Sequence, residues 1–363
     1  MILSKQDINN GRQKEFDYLK GLFVPMIILI HAFQLMGATN ERFYEFFYPI
    51  CTLTGSTIFL FVMGLGSTYS KRTDKQMVIS GLKLIVCQIA WNVFALAIPF
   101  LLGQAVRAVF GLSMDMWPVV LGQSVILLQY INIFFIAGVS YLLLALFKRI
   151  HIPTGGYLAV AMVFLMVTPF LYMTDFTTGL PIVDYIFMMF CGGRESVSLI
   201  FWPHFVYTLF GVWFGRILKR VVNKHVFYMR IVLVGFVIGI AYVVYVVMIS
   251  ETITEFCNYM SYTYIFPGTV KMCVNLAWTL IAAAVFYWLI PWIKKIKWLD
   301  RILQHFNNET TAYYAIHPFL FSFVTSLVAL KPLGWMVCVI VAVVNIIFSW
   351  FIIWIWEKIR ICK

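Results

Sequence analysis

The sequence predicts an all-α polytopic membrane protein of about ten transmembrane helices, with both termini cytoplasmic. Three observations carry that expectation. Of 363 residues, 62% are apolar and 12% are charged, whereas a soluble globular chain carries about 25% charged residues. The apolar residues gather in runs of about 20, the length that crosses a bilayer as a helix. The basic residues gather in alternate connections between those runs, which is how cytoplasmic loops are marked.

Ten runs follow one another near residues 16–37, 45–69, 76–102, 120–147, 154–173, 200–218, 228–249, 268–292, 309–330 and 333–356. The segment before the first, MILSKQDINNGRQK, lacks the apolar core and small-residue cleavage site of a secretory signal, so the first run is expected to stay in the mature protein. Lys5, Arg12 and Lys14 precede the first run, and Lys71, Arg72 and Lys75 follow the second. The fourth is long enough to tilt or to begin as an interfacial segment, and Lys148 and Arg149 follow it. Arg216, Lys219, Arg220, Lys224 and Arg230 lie around the connection from the sixth to the seventh. Lys294, Lys295, Lys297 and Arg301 follow the eighth, and Lys358, Arg360 and Lys363 close the chain. These are 20 of the 27 basic residues, against Arg42, Arg107, Arg194 and Lys331 in the opposite loops.

One membrane domain, 1–363, is therefore expected: a cytoplasmic segment 1–15, a bundle 16–357 and a cytoplasmic tail 358–363. The net charge of +12 is explained by topology and calls for no nucleic acid. Most remaining acids fall in the outer loops, at Glu41, Glu45, Asp115, Asp175, Asp184, Glu195, Glu251 and Glu255. The longest outer stretch, 174–199, contains Cys-Gly-Gly-Arg-Glu at 191–195, where paired glycines suit a re-entrant or lid segment. Seven cysteines form no CxxC spacing and imply no metal site; Cys191 and Cys257 fall in two outer loops and are a candidate pair.

Ionisable groups inside a spanning helix cost a few kcal/mol on insertion scales, so each is a functional candidate. They are Asp17, Lys20, His31, Lys83, His204, Lys271 and His317. His31 lies about 22 Å into the first run, beyond the reach by which an imidazole finds the interface, and so faces the protein interior. Lys20, eleven positions back, falls within about 20° of the same helix face, and Asp17 within about 40°. Asp17 and Lys20, three apart, can also pair with each other at the membrane surface. Trp202 and His204 sit in Phe-Trp-Pro-His at the start of the sixth run, at its outer mouth. Lys271 follows Pro267-Gly268 near the outer end of the eighth run, and Lys83 is close enough to a helix end to reach water. In the ninth, Asn308 is a helix cap, and Pro318 kinks the helix beside His317, freeing carbonyls around a cavity.

The first run, Phe16-Asp17-Tyr18-Leu19-Lys20-Gly21 leading to His31-Ala32, resembles the opening Asp-x-x-Arg-Gly then His motif of acyltransferase-3 membrane proteins. The segment Gly55 to Gly64 followed by Ser70-Lys71-Arg72 resembles the Gly-x-x-x-Phe-x-Phe-x-x-Gly segment and basic turn of that family and of its heparan-glucosaminide acetyltransferase-like relatives. Phe201-Trp202-Pro203-His204 with Gly211 and Gly215-Arg216, and Tyr314-Ala315-Ile316-His317-Pro318, are similar to two later spans. Lys20 stands where the family carries Arg, and the family's arginine-rich third span has no clear counterpart.

The resemblance implies transfer of an acyl group, commonly acetyl, from a cytoplasmic acyl-CoA co-substrate to a hydroxyl or amine of a glycan or other acceptor beyond the membrane. No permanently bound cofactor is implied. His31 would act as general base or acyl carrier, with His317, Tyr313 or Tyr314 beside the developing oxyanion. Lys20, Lys71 and Arg72 would hold the donor's phosphates; Trp202, His204 and Lys271 would meet the acceptor; Asp17 would support the first helix. The implied setting is a bacterial inner membrane, with a homo-oligomer allowed. The competing expectation is a transporter or lipid-linked sugar flippase whose buried histidines relay protons; a third is a sensor or assembly protein without turnover.

Overall fold

The computed structural model describes residues 3–37, 55–112, 117–172, 178–191, 199–253, 255–256, 268–328 and 331–361. Among these, every regular element is helical. In chain order they are α1 (Lys14–Met36), α2 (Gly55–Tyr69), α3 (Asp74–Trp91), a π-helical turn (Asn92–Ala97), α4 (Ile98–Val109), α5 (Trp117–Leu128), α6 (Ile133–Arg149) and α7 (Thr154–Tyr172). Then come α8 (Pro181–Cys191), α9 (Phe201–Leu218), α10 (Lys224–Ile249), α11 (Thr269–Lys295), α12 (Lys297–Asn308), α13 (Thr310–Leu327) and α14 (Trp335–Ile361).

The fold is that of an all-α polytopic membrane protein: seven helical stretches among the described residues are long and apolar enough to cross a membrane. Each of the ten expected runs contains a helix, but α2 is a shorter apolar helix, and α9 and α13 dilute their hydropathy with buried polar side chains. Arg42, Arg194, Glu41, Glu45, Asp115, Asp175, Glu195, Cys257 and the glycines at 192–193 lie outside the described residues. Cys191 is a buried free thiol.

Three expectations are corrected. Arg107, taken for a loop residue, lies in α4 at 6% exposure and donates from Nη1 to the Leu327 carbonyl at 3.2 Å. The fourth run is interrupted at 129–132, where Asn132 caps α6 by accepting from the Phe134 N–H at 2.8 Å. Asn308 ends α12 instead of capping α13, whose cap position Glu309 makes no side-chain hydrogen bond. The connection after α11 is thus an amphipathic helix, Lys-Trp-Leu-Asp-Arg-Ile-Leu-Gln-His-Phe-Asn-Asn, with Trp298 and Ile302 exposed and Leu303 buried.

The described chain gathers into two compact units. The first comprises Met1–Phe16, Leu53–Gln88 and Ile131–Pro291 and is built around α9, which packs against α2, α6, α7 and α8. Small residues let backbones touch, the usual device where lipid offers no hydrophobic driving force. A Cβ on Gly64 would stand 2.0 Å from the Thr208 carbonyl oxygen, and one on Gly211 would stand 2.1 Å from that of Phe61. The chain before α1 is strapped to the α9–α10 turn: Ser4 N–H donates to the Arg220 carbonyl at 2.7 Å, and Ile8 and Asn9 both donate to Lys219 at 2.8 Å. Glu15, 2% exposed, receives Lys224 Nζ at 3.1 Å and the Tyr228 hydroxyl at 2.8 Å.

The second unit comprises Asp17–Thr52, Ile89–Tyr130 and Trp292–Lys363 and centres on α13, packed against α4, α12, α14 and the π-turn. Its serines bind across helices: Ser322 donates to the Leu96 carbonyl at 2.7 Å and Ser326 to Phe100 at 2.6 Å. Asn92 in the π-turn donates to the Leu128 and Tyr130 carbonyls at 2.7 and 2.8 Å, closing the orphan end of α5.

The α2–α9 crossing leaves no room for a methyl group. Gly64→Ala should cost about 1–3 kcal/mol through backbone displacement, read as a lower melting temperature in detergent; Gly66→Ala, with open space at its Cβ, should change nothing.

Candidate functional site

The second unit joins the two histidines the sequence singles out. His31 comes from α1 and His317 from α13, and His31 Nδ1 stands 2.8 Å from His317 Nε2. The rings stack at 5.0 Å between centroids with 27° between planes. His317 Nδ1 lies 2.8 Å from the Tyr313 carbonyl oxygen, one turn back on the same helix.

The chain of contacts dictates the protons. A carbonyl oxygen only accepts, so His317 Nδ1 carries hydrogen and donates to Tyr313. With His317 neutral, its Nε2 is a lone pair, and His31 Nδ1–H donates to it. His31 Nε2 is then left with a lone pair and no proton. A carbonyl thus orients one imidazole, and that imidazole fixes the tautomer of a second. His317 is 0% exposed, while His31 is partly exposed, so the free nitrogen belongs to the less enclosed residue of the pair.

Packing holds the pair still. Phe321 and Tyr314 meet the His317 ring edge-on at 5.9 and 5.6 Å, and Trp91 stacks on Tyr314 at 6.1 Å. From α14, Asn345 Nδ2 donates to the His317 carbonyl at 2.7 Å, and Ser349 Oγ donates to Asn345 Oδ1 at 3.2 Å; both side chains are 0% exposed. Sequence reading passed over both, because neutral polar residues in an apolar run are common; a serine four residues beyond an asparagine on one helix face was the available signal.

The remaining candidates divide between the units. Tyr313, expected to offer its hydroxyl, meets the pair through its carbonyl, while its hydroxyl lies 3.2 Å from His305 Nε2 on α12. Asp17 and Lys20 are partly exposed on α1, Lys20 about 16 Å along the axis from His31. Between them Tyr18 donates to Asp300 Oδ1 on α12 at 2.6 Å, a contact sequence reading missed.

In the first unit, Lys71 and Arg72 are exposed in the α2–α3 turn. Lys148 Nζ donates to the Arg72 carbonyl at 2.7 Å and pairs with Asp74 at 3.3 Å, and the Arg72 guanidinium stands 6.0 Å from the Tyr141 ring. Trp202 stacks on Phe164 at 3.9 Å and donates to its carbonyl at 3.2 Å. His204 and Lys271, expected at a helix mouth, are buried at 1% and 5% exposure. His204 Nδ1–H donates to the Ile200 carbonyl at 2.7 Å, and Lys271 Nζ lies 5.2 Å from the Tyr242 ring centroid. The first turn of α9 is enclosed because its helix packs on several sides at once. Among the described residues, no group of three or more His, Cys, Asp or Glu side chains is arranged to hold a metal ion.

Replacing Asn345 by Leu strips the His317 carbonyl and Ser349 of a buried partner, and should cost about 1–3 kcal/mol. A melting-temperature series in detergent checks this, with Ser349→Ala expected to cost less because it removes a single longer bond.

Comparison with known proteins bears on what such a pair does. The family model described as an acyltransferase domain (Acyl_transf_3) matches residues 13–354. No curated protein and no solved structure matches the chain.

Proposed function

This chain belongs to the acyltransferase-3 family of membrane acyltransferases, and on that premise we propose that it moves an acyl group, acetyl in the simplest case, from acyl-CoA to a hydroxyl or amine of a glycan or other acceptor, with His31 as general base. The observation that carries the reading is the ordered contact from Tyr313 through His317 to His31, which leaves His31 Nε2 with a free lone pair on the less enclosed residue of the two.

An acceptor hydroxyl is a poor nucleophile until its proton leaves. In the proposed step, His31 Nε2 takes that proton while the acceptor oxygen attacks the thioester carbonyl. The tetrahedral intermediate then collapses, the carbon–sulfur bond breaks, and the thiolate of CoA recovers the proton from His31. The imidazolium that forms in between keeps its Nδ1–H on the lone pair of neutral His317, which lowers the cost of the charge in an apolar interior. Direct transfer needs no acyl-histidine, although the same nitrogen would carry one.

In the second unit, Lys20 is the proposed contact for the donor's phosphates. The separation of Lys20 from His31 along α1 suits a donor that extends from its phosphates to its thioester. A bacterial inner membrane is the proposed location.

The test is transfer of labelled acetyl from acetyl-CoA in membranes containing wild type, His31→Ala and His317→Leu, each checked for folding by monodispersity and melting temperature. Wild type should release CoA and label an acceptor. His31→Ala should lose about 10²–10⁴-fold in kcat, the usual worth of a general base. His317→Leu should lower kcat while leaving the KM for acetyl-CoA unchanged. If folded wild type neither turns over nor binds acyl-CoA, the reading fails and solute or proton flux becomes the activity to measure.

A further inference from the structure

The first unit holds a cavity of about 570 Å³ between α9, α10 and α11, within the range of small-molecule sites. Its walls are apolar: Trp213 and Phe214 of α9, Val234 and Ile238 of α10, and Leu276 and Leu280 of α11. One lining residue is charged, Arg230. Leu3, on the strap before α1, contributes to the wall and pairs with Val221 in an isolated bridge.

The shape follows from helix geometry. Lining positions on α10 run from Phe227 to Ile238, a stretch of about 16 Å along the axis. The cavity is therefore elongated along a helix, with Arg230 towards one end. That end is also where other cations gather. Arg230 lies six residues past Lys224, the first residue of α10, or about 9 Å along the axis, and Lys219 and Arg220 occupy the turn before it. A long arginine side chain extends towards that level.

Both α10 and α11 are candidate membrane spans, and the outer surface of α10 is apolar, with Leu233 and Val237 exposed at 68% and 62%. A space of this kind, among lipid-facing helices, takes an amphiphile with an apolar chain and an anionic head. We propose that it is a binding site for an anionic phospholipid, one acyl chain lying along α10 and the phosphate meeting Arg230. The charge decides between lipids: a zwitterionic head brings its own cation to the same place, while an anionic head meets Arg230, with Arg220 in the turn before α10; Lys219 and Lys224 are paired with Asp7 and Glu15. Leu3 and the strap bound to the α9–α10 turn separate this site from the general lipid annulus, because they add a protein wall at the charged end. The inference is independent of the transfer chemistry, since a chain without turnover would hold the lipid in the same way.

The experiment uses the full-length protein, delipidated in detergent and titrated with phosphatidylglycerol or phosphatidylcholine under native mass spectrometry. One phosphatidylglycerol per chain should survive delipidation and outcompete phosphatidylcholine. Arg230→Gln should weaken phosphatidylglycerol about five-fold, the worth of one cation near an anionic head group, and leave phosphatidylcholine unchanged. Ile238→Trp, which fills the cavity, should abolish retention, whereas Leu233→Trp on the open surface of α10 should not. Cys273 also lines the cavity, so peptide mapping after treatment with an apolar thiol reagent should show protection by phosphatidylglycerol in wild type and none in Arg230→Gln at the same lipid concentration. Ile238→Ala guards against misfolding, because it enlarges the cavity and should retain the lipid. Equal retention of both lipids, or equal behaviour of Ile238→Trp and Leu233→Trp, means annular lipid only and overturns the proposal.

Discussion

A polar group inside a bilayer must find its partner within the protein, since no water waits there to receive it. That constraint governs the second unit. His317 is fully buried on a helix whose neighbours are mostly apolar, and its Nδ1–H goes to a carbonyl on its own helix. Its second nitrogen needs a partner from elsewhere, and His31 supplies it. Satisfying one buried imidazole thereby sets the tautomer of another. The arrangement that answers a structural need and the one that leaves a reactive lone pair are the same arrangement.

The same constraint explains how the helices around the pair are tied. Ser322 and Ser326 donate to carbonyls near and beyond the π-turn, Arg107 reaches the Leu327 carbonyl, and Asn345 reaches that of His317. Each bond joins a side chain of one helix to the backbone of another, so it fixes both spacing and register. In water these contacts would compete with solvent; in hydrocarbon the alternative is an unpaired group, and the register is correspondingly well determined. The first unit relies more on close approach. Gly64 and Gly211 bring α2 and α9 into backbone contact, and Glu15 is neutralised within its own unit by Lys224 with help from Tyr228.

Belonging to the acyltransferase-3 family gives the histidine pair a chemical setting. The general base proposed at His31 needs a nitrogen that is unprotonated and held in position, and each property traces to a separate feature: donation of its Nδ1–H to His317, and the Asn345–Ser349 brace behind His317.

Composition and run length by themselves determined the membrane class, because a chain with 62% apolar and 12% charged residues has no other place to store its surface. They also singled out His31 and His317, since an ionisable residue deep in an apolar run is conspicuous against its neighbours. The motifs around both histidines were sufficient to suggest the family. The amphipathic helix α12 was hidden among basic residues that read as a cytoplasmic turn, and Arg107 read as loop because a charge near a span end normally lies there. Only the tertiary structure decided that the two histidines meet, through which nitrogens, and that Tyr313 joins them by its carbonyl. Contacts between residues 286 apart in the chain depend on how helices pack, and a helical period shows which face is polar without showing which helix will cover it.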